Sequence, residues 1–214
     1  MDSLLDGQRV LWGIGTPRTM RPHWALCELA IPYETRAVRT RSPETQTSDF
    51  AALNVRRKIP VLQDGDFIIT ESAAIVAYLS DRYATEGNAL FPAGIAERAR
   101  WLEWCFYIMT ELDAASLYMV RRHVGLKHIY GEAPVAVEAA KSYFSKQLVT
   151  VTERLTAGEP YLMGEKFSSA DILLTTCLTN AISDEIQLPK ICMDYLALTT
   201  LRPAYRAAHA TNHP

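Results

Sequence analysis

Cysteine is scarce in this sequence, and its placement argues against two kinds of site. Only four of the 214 residues are cysteine, and no two have the C-x-x-C spacing of a dithiol redox pair or a zinc site. We therefore expect no metal, and we expect free thiols of the kind found in a reducing cytoplasm. The four positions lie far apart in the chain: Cys27, Cys105, Cys177 and Cys192.

The sequence also lacks an excess of one charge and a long apolar run. It carries 22 lysine and arginine residues against 24 aspartate and glutamate residues, a formal net charge of −2. No overall field would attract nucleic acid or an acidic membrane surface. No apolar run reaches the roughly 18 residues of a membrane-spanning helix. Residues 1–8 lack the basic and apolar regions of a signal peptide. We therefore expect a cytoplasmic protein without a membrane or nucleic-acid partner.

The first part of the chain alternates between short strand patterns and helix patterns. The predicted elements are a strand at 9–13, a helix at 18–30, a strand at 33–38, a helix from Pro43, a hairpin about Asp64-Gly65 and a helix at 71–83. This β-α-β-α-β-β-α order is that of a thioredoxin-like domain. We assign that α/β domain to residues 1–83.

Residues 57–72 combine a proline, a tight turn and a helix start. Pro60 stands at the head of an apolar run, where a cis bond would expose the backbone of the preceding residue. Ser72 lies at the predicted start of a helix, where free backbone N–H groups favour an anion. By local chemistry alone, the stretch also fits an ordinary hairpin followed by a capped helix.

Strand patterns disappear in the second part of the chain. Residues 84–96 are polar and small, which is typical of a linker, and apolar positions three and four apart then predict helices over much of 97–214. Ser168 and Asp171 have the spacing of a capping box at the start of a nearly all-apolar helix. The predicted fold is thus an α/β thioredoxin-like N-terminal domain followed by an all-α helical-bundle C-terminal domain.

The order and spacing of several short motifs resemble those of the cytosolic glutathione transferases. The family pattern N-P-x-G-K-I-P-x-L, then D-G, then E-S-x-A-I-x-x-Y-L, is matched by residues 54–79, with Val55 replacing the proline and Arg57 replacing the glycine. Further similarities are Leu11-Trp12-Gly13, Ala25 to Glu34, F-S-S-A-D-I at 167–172 and R-P-A-Y at 202–205. The resemblance implies an enzyme that joins the thiol of its co-substrate, glutathione, to a small hydrophobic electrophile.

The resemblance also implies a set of glutathione contacts, each of which suits the charges of the tripeptide. Glu71 would pair with the γ-glutamyl ammonium, and Ser72 would bind the γ-glutamyl carboxylate. The backbone of Ile59, before a cis Pro60, would pair with the cysteinyl unit. Lys58 would lie near the glycyl carboxylate. A solvated surface charge remains the alternative for Lys58, and no pattern fixes the further cations Arg39 and Arg41.

Two threonines are candidates for activating the thiol. Many family members read S-P-F-x-x-R or C-P-F-x-x-R where this chain reads T-P-R-T-M-R at 16–21, so Thr16 takes the serine or cysteine position. Thr19 matches a second family pattern, with a hydroxyl two residues before the arginine. The alternative for either threonine is a plain helix cap. The absence of cysteine at both positions argues against the thiol-reductase branch of the family, which forms a mixed disulfide with glutathione.

The remaining expectations concern the second substrate and assembly. We expect the electrophile to meet the thiolate between the domains, at a pocket that includes Tyr107, Glu111 and Tyr118. The family resemblance implies a homodimer. The reaction would be conjugation, or a related isomerisation or dehalogenation. A non-catalytic glutathione-fold binding or regulatory protein is the alternative, kept open by Val55, Arg57 and the uncertain role of the threonines.

Overall fold

The computed structural model describes residues 8–214. The first seven residues, which belong to the stretch where we expect no signal peptide, lie outside the described residues. The chain divides into two compact units. One comprises the residues up to Leu90 together with Leu201–Pro214, and the other comprises Phe91–Thr200.

The first unit is built on a four-stranded mixed sheet. Its elements up to residue 83 are β1 (Arg9–Trp12), α1 (Pro17–Glu28), β2 (Glu34–Arg36), a 3₁₀ turn (Pro43–Gln46), α2 (Ser48–Leu53), β3 (Val61–Asp64), β4 (Phe67–Thr70) and α3 (Ser72–Tyr83). The strand order is β2-β1-β3-β4, with β1 and β2 parallel and the other neighbours antiparallel. The prediction of a thioredoxin-like sheet with helices is confirmed.

The predicted hairpin joins β3 to β4. Asp64 pairs with Phe67 across the turn, and Gly65 has a positive φ of 59°, a conformation that glycine adopts without steric cost. The buried Asp64 carboxylate accepts hydrogen bonds from the hydroxyls of Tyr78, at 2.9 Å, and Tyr83. These bonds tie the hairpin to the middle and the end of α3.

The second unit is entirely helical among the described residues, apart from an isolated bridge between Tyr161 and Gly164. Its helices are α4 (Ile95–Tyr107), a π-helical segment (Ile108–Leu117), α5 (Tyr118–His123), α6 (Lys127–Tyr130), α7 (Pro134–Thr156), α8 (Ser169–Ser183) and α9 (Lys190–Thr200). The sequence predicts one long helix over 97–123. In the structure, the middle of this stretch, Ile108–Leu117, is a π-helix, which has more residues per turn than an α-helix. There the Ser116 hydroxyl donates to the Glu111 carbonyl at 2.7 Å, five residues back. The prediction of a helical C-terminal region is confirmed.

The predicted capping box at the start of α8 is present. The Asp171 carboxylate accepts hydrogen bonds from the Ser168 N–H and hydroxyl, both at 2.8 Å. It also accepts from the Leu162 N–H at 2.9 Å and the Tyr195 hydroxyl at 2.7 Å. Burial raises the pKa of Asp171, while these donors act in the opposite direction. The carboxylate therefore fastens the start of the buried α8 to two neighbouring segments of the unit.

The last helix, α10 (Pro203–Asn212), packs in the first unit. The ring of Tyr205 meets that of Trp24 edge-on at 4.9 Å, and Arg202 forms a two-pronged ion pair with Glu28 at 2.6 and 2.8 Å. The domain boundary drawn from the sequence, 97–214, includes this helix in the second domain. The structure differs because these contacts with α1 hold residues 201–214 against the sheet-containing unit. None of the helices among the described residues has both the length and the apolar character of a membrane span.

Candidate functional site

The loop before Pro60 is organised by one buried side chain, Asn54. Its carboxamide donates to the Lys58 carbonyl at 2.8 Å and accepts from the Arg56 N–H at 3.1 Å. Its backbone carbonyl accepts from the Arg57 N–H at 2.8 Å. Arg57 has a φ of +53°, which explains why the family pattern favours glycine at this position. The Ile59–Pro60 peptide bond is cis, as expected. The Asn54 bonds therefore hold the turn that carries Lys58 and Ile59.

Glu71 and Ser72 lie at the junction of β4 and α3. Ser72 is buried and is the first residue of the helix. Glu71 has the left-handed φ of +69° and an exposed carboxylate. That carboxylate forms an ion pair with Arg56 at 2.6 Å, while Arg56 also donates to the Thr70 hydroxyl at 2.7 Å. The junction thus presents a carboxylate at the solvent and a hydroxyl at a helix start.

Arg21 is a site residue that the sequence analysis missed. Its side chain is only 1% exposed, and its guanidinium donates to the Ser72 hydroxyl oxygen at 3.1 Å. Because Ser72 accepts this bond, its own hydroxyl proton remains available for an anion at the start of α3. The available signal was the arginine that closes the T-P-R-T-M-R pattern, which we used only to locate the hydroxyls.

Thr16 and Thr19 form a reciprocal capping box at the start of α1. The Thr19 N–H donates to the Thr16 hydroxyl oxygen and the Thr16 N–H donates to the Thr19 hydroxyl oxygen, each at 3.0 Å. The two hydroxyl oxygens are themselves 3.0 Å apart. Thr19 is fully buried, and its hydroxyl also bonds to Asn212 at 2.7 Å. Thr16 keeps 6% exposure. Of the two, Thr16 is therefore the threonine better able to reach a ligand.

Gly13 brings the threonine loop against the cis-proline loop. Its φ is +122°, and a Cβ there would lie 2.7 Å from the Ile59 Cβ and 2.9 Å from the Thr19 Cγ2. Neither contact can be accommodated by a flexible chain end, so the approach requires glycine. The candidate thiol-activating segment and the candidate backbone-pairing segment are consequently neighbours.

His23 supports Gly13 from inside the unit. Its ring is fully buried, with Nε2 3.0 Å from the Gly13 carbonyl and Nδ1 2.9 Å from the Tyr33 hydroxyl. A carbonyl can only accept, so Nε2 carries the proton and Nδ1 accepts from Tyr33. Desolvation lowers the pKa of His23 to about 4, against a smaller opposing effect of the Gly13 hydrogen bond. The ring is therefore neutral near pH 7.

Two cations lie along the exposed side of these loops. The Arg39 guanidinium lies beside Gly15, where a Cβ would be 3.0 Å from its Nη1. Gly15 directly precedes Thr16 and has a φ of +79°. The Lys58 side chain is exposed on the turn before Ile59. Arg39, which no pattern fixed, is thus brought close to the start of α1.

The three residues expected in the electrophile pocket have different surroundings in the second unit. The Tyr107 hydroxyl donates to the Gln147 carbonyl of α7, and Tyr107 also lines a cavity of about 520 Å³. Glu111 accepts from the hydroxyl of Tyr143, also on α7. Tyr118 is half-buried at the first position of α5. Tyr107 and Glu111 are thus held by α7, and a pocket shared by all three residues stays a prediction.

Comparison with known proteins assigns the family. A family model described as "Glutathione S-transferase, N-terminal domain" matches residues 8–81. Glutathione S-transferase 3 of Zea mays is 31% identical over 172 residues, which are 78% of this chain and 75% of the maize protein. The chain belongs to the glutathione S-transferase family.

The chain is also similar to two theta-class members of the glutathione S-transferase family. Glutathione S-transferase theta-3 of Mus musculus is 28% identical over 156 residues, 72% of this chain. That match spans 64% of the mouse protein, slightly less than two thirds of its length. A theta-class glutathione S-transferase from Xanthomonas axonopodis pv. citri, solved with glutathione bound, is 26% identical with a TM-score of 0.80. The match covers 94% of this chain and 96% of that one.

Proposed function

We propose that this protein is a glutathione transferase that uses the glutathione thiolate to attack a small hydrophobic electrophile. The observation that carries the proposal is the pairing of the buried Arg21 with Ser72 at the start of α3. A buried cation, a hydroxyl and the N–H groups of a helix start are together suited to a carboxylate. Glu71, one residue earlier, supplies the opposite charge.

The γ-glutamyl end of glutathione fits this junction by charge. Its carboxylate would bind Ser72 and the first N–H groups of α3, with Arg21 behind them. Its ammonium would bind the Glu71 carboxylate. Glu71 now pairs with Arg56, but both side chains are about half exposed, and such pairs contribute only about 0–1 kcal/mol. Sharing the carboxylate with an ammonium would therefore cost little.

The rest of the tripeptide would follow the two loops joined at Gly13. The cysteinyl backbone would pair with Ile59, beside the cis Pro60. Lys58 and Arg39 would supply positive charge for the glycyl carboxylate. In this orientation the thiol would lie toward Thr16, because the start of α1 and the Ile59 loop are in contact at Gly13.

The thiol must then lose its proton near neutral pH. A free thiol has a pKa of about 8.5, and each unit of depression needs about 1.4 kcal/mol of preferential thiolate stabilisation. A hydrogen bond from the Thr16 hydroxyl, the N-terminus of α1 and the nearby Arg39 would each favour the thiolate.

The sulfur lone pair would form a C–S bond to the electrophilic carbon, and the leaving group would depart with its bonding electrons. Isomerisation and dehalogenation would start from the same thiolate.

The assembly and location follow the expectations from sequence. We propose a homodimer, supported by apolar side chains on α4 that a second copy would cover: Phe106 is 66% exposed and Leu102 is 39% exposed. We also propose a cytoplasmic location, supported by four free cysteines, three of them buried. A non-catalytic binding protein is less well supported, because the relatives carry the name of the transferase.

The test combines binding with turnover. Calorimetric titration with glutathione and a spectrophotometric assay with a generic aryl halide should both be positive. The double variant Ser72→Ala/Glu71→Gln should weaken binding at least about a hundredfold, because it removes two charge-assisted contacts. The double variant Ser116→Ala/Glu103→Gln, in the second unit, is a composition-matched control that should bind normally. Retention of glutathione without turnover of several electrophiles would favour the non-catalytic alternative, and absence of binding would overturn the proposal.

A further inference from the structure

Asn212, the last residue of α10, is completely buried against the loop that precedes α1. Its Oδ1 accepts from the Thr19 hydroxyl at 2.7 Å and from the Gly15 N–H at 3.1 Å. Its Nδ2 donates to the Thr16 carbonyl at 3.2 Å. Its backbone carbonyl also accepts from the Gly15 N–H at 2.8 Å. One side chain, 196 positions beyond Thr16, therefore contacts all three residues of the capped turn.

The orientation of this carboxamide is fixed by its partners. The Gly15 N–H can only donate and the Thr16 carbonyl can only accept. Rotating the amide by half a turn would set Nδ2 against the Gly15 N–H and Oδ1 against the Thr16 carbonyl, two repulsive contacts. The acceptor Oδ1 is thus the atom that faces the Thr19 hydroxyl, and Thr19 must be the donor in that bond.

This direction has a consequence for the neighbouring hydroxyl. The Thr19 hydroxyl has two acceptors that can only accept, the Asn212 Oδ1 at 2.7 Å and the Thr16 carbonyl at 2.9 Å. With its single proton directed to them, chiefly to the nearer Oδ1, the Thr19 oxygen does not donate to the Thr16 hydroxyl oxygen 3.0 Å away. The Thr16 oxygen already accepts from the Thr19 N–H. Thr16 is therefore left as a donor, toward the Thr19 oxygen or toward another acceptor that comes within reach.

We infer that Asn212 is a positioning residue that makes the Thr16 hydroxyl a hydrogen-bond donor to the glutathione sulfur, and this inference rests on the proposed function. Asn212 does so by engaging the Thr19 proton and by holding the Thr16 carbonyl and the Gly15 N–H. Without it, the Thr19 proton is divided between the Thr16 carbonyl at 2.9 Å and the Thr16 hydroxyl oxygen at 3.0 Å. When Thr19 donates to the Thr16 hydroxyl oxygen, it occupies the lone pair side of that oxygen and restricts how the Thr16 hydroxyl can turn. Fewer molecules would then direct the Thr16 proton to the thiolate.

The variant Asn212→Ala tests this role against a purely structural one. The control is Tyr205→Leu on the same helix, which removes packing against Trp24 but leaves the Asn212 contacts in place. Ultraviolet thiolate absorbance of the glutathione complex, followed against pH, should show a higher thiol pKa in Asn212→Ala only. We expect about three- to tenfold less thiolate at a pH below the pKa, corresponding to a rise of roughly half to one unit. Glutathione affinity, measured where the thiol is protonated, should change less than about twofold, because the proposed charged-end contacts are intact.

A double-variant cycle shows whether Asn212 acts through Thr19. Thr19→Val removes the proton that Asn212 engages, so adding Asn212→Ala to it should raise the pKa by less than the sum of the two single changes. If the alanine variant does not fold, Asn212→Leu replaces it. Leucine has a similar size and no charge, and it offers neither an acceptor for the Thr19 hydroxyl nor a donor for the Thr16 carbonyl, so the thiol pKa in this variant should also rise.

The outcomes separate this inference from the proposed function. Suppose that wild type binds glutathione and lowers the pKa of its thiol. If Asn212→Ala leaves that pKa unchanged, or if Tyr205→Leu raises it equally, the inference alone is overturned. Wild type that binds with an undepressed pKa would overturn it as well. If wild type does not bind glutathione, the proposed function fails and the inference falls with it. Amide hydrogen exchange would still test the contacts: the Thr16 and Gly15 N–H groups should exchange faster in Asn212→Ala than in Tyr205→Leu.

Discussion

Arg21 and Ser72 are joined by a 3.1 Å hydrogen bond between two buried side chains that are 51 positions apart in the sequence. The bond connects α1 to the first residue of α3 and puts a positive charge behind the start of that helix. A buried guanidinium is costly unless it has partners. Its position here, beside a hydroxyl that can still donate, indicates a role in holding an anion rather than only in packing.

Replacing Arg21 by methionine should weaken glutathione binding about ten- to hundredfold. The change removes a charge that would act on the γ-glutamyl carboxylate, and contacts of this kind contribute about 1.5–3 kcal/mol. Calorimetric titration measures the affinity, and circular dichroism checks that the variant is folded. Arg82→Met, an exposed position on α3, is the control and should bind as wild type does. Equal affinity of the Arg21 variant and wild type would remove Arg21 from the site.

His23 predicts how stability depends on pH. Desolvation lowers its pKa to about 4 in the folded protein, against about 6.5 in an unfolded chain. The fold thus favours the neutral ring. Its contribution is complete above about pH 6.5 and is lost as the pH falls from there to about 4, where both states are protonated. For a fully buried ring the loss is about 3 kcal/mol.

Urea unfolding at several pH values between 4 and 7 measures this effect. His23→Gln has no titrating ring, so its free energy of unfolding should fall less steeply with acid than that of wild type. His128→Gln, an exposed position on α6, should retain the wild-type slope. Parallel pH profiles for wild type and His23→Gln would show that another group causes the acid loss.

Asp171→Ala should destabilise the protein by about 2–4 kcal/mol. The carboxylate accepts four hydrogen bonds from buried donors, and each donor left unpaired in the interior costs about 1–3 kcal/mol, partly relieved by rearrangement. Asp194→Ala removes an exposed pair with Lys190 and should cost less than about 1 kcal/mol. Thermal melts would contradict the role of the capping box if the two variants had the same melting temperature.

Several features of both units are predictable because their signals are local. The hairpin at Asp64-Gly65, the proline at the head of β3 and the Ser168–Asp171 box each depend on residues within a few positions of one another. Arg21 and Asn212 could not be assigned in this way. Their partners lie 51 and more than 190 positions away, so only the folded backbone brings them together.

The same reasoning explains the two differences in the helical part. The spacing of apolar residues predicts a helix over 97–123 but does not distinguish an α-helical turn from the wider π turn. The docking of α10 depends on Tyr205 and Arg202 finding Trp24 and Glu28 on α1, which no local pattern encodes. For Tyr107, the sequence pattern predicts the face of the helix on which the side chain lies. It does not predict that the hydroxyl bonds to Gln147 of α7.

The proposed homodimer predicts a mass near twice the 24.0 kDa of the chain in light scattering at micromolar concentration. Phe106→Glu should shift the protein toward monomer, because it puts a charge on the exposed apolar face of α4. Val149→Glu, on α7 and 54% exposed, is the matched control and should not change the mass. A wild-type mass near that of one chain would exclude a stable dimer under these conditions.

Thr16 gives the last prediction, in which its cap and its proposed chemistry can be separated. Thr16→Val removes both the cap, at about 1 kcal/mol, and the hydroxyl donor to the thiolate. Thr16→Ser keeps both, because serine caps helices and donates as threonine does.

We expect the valine variant to lose about tenfold in turnover near neutral pH, from a rise of about one unit in the thiol pKa. The loss should shrink as the pH rises, because glutathione bound to the valine variant is then also almost fully ionised. The serine variant should match wild type in pKa, rate and melting temperature. Thiolate absorbance against pH and aryl halide turnover give the two readings. A valine variant with a lower melting temperature but an unchanged pKa would show that the Thr16 hydroxyl is a helix cap and does not stabilise the thiolate.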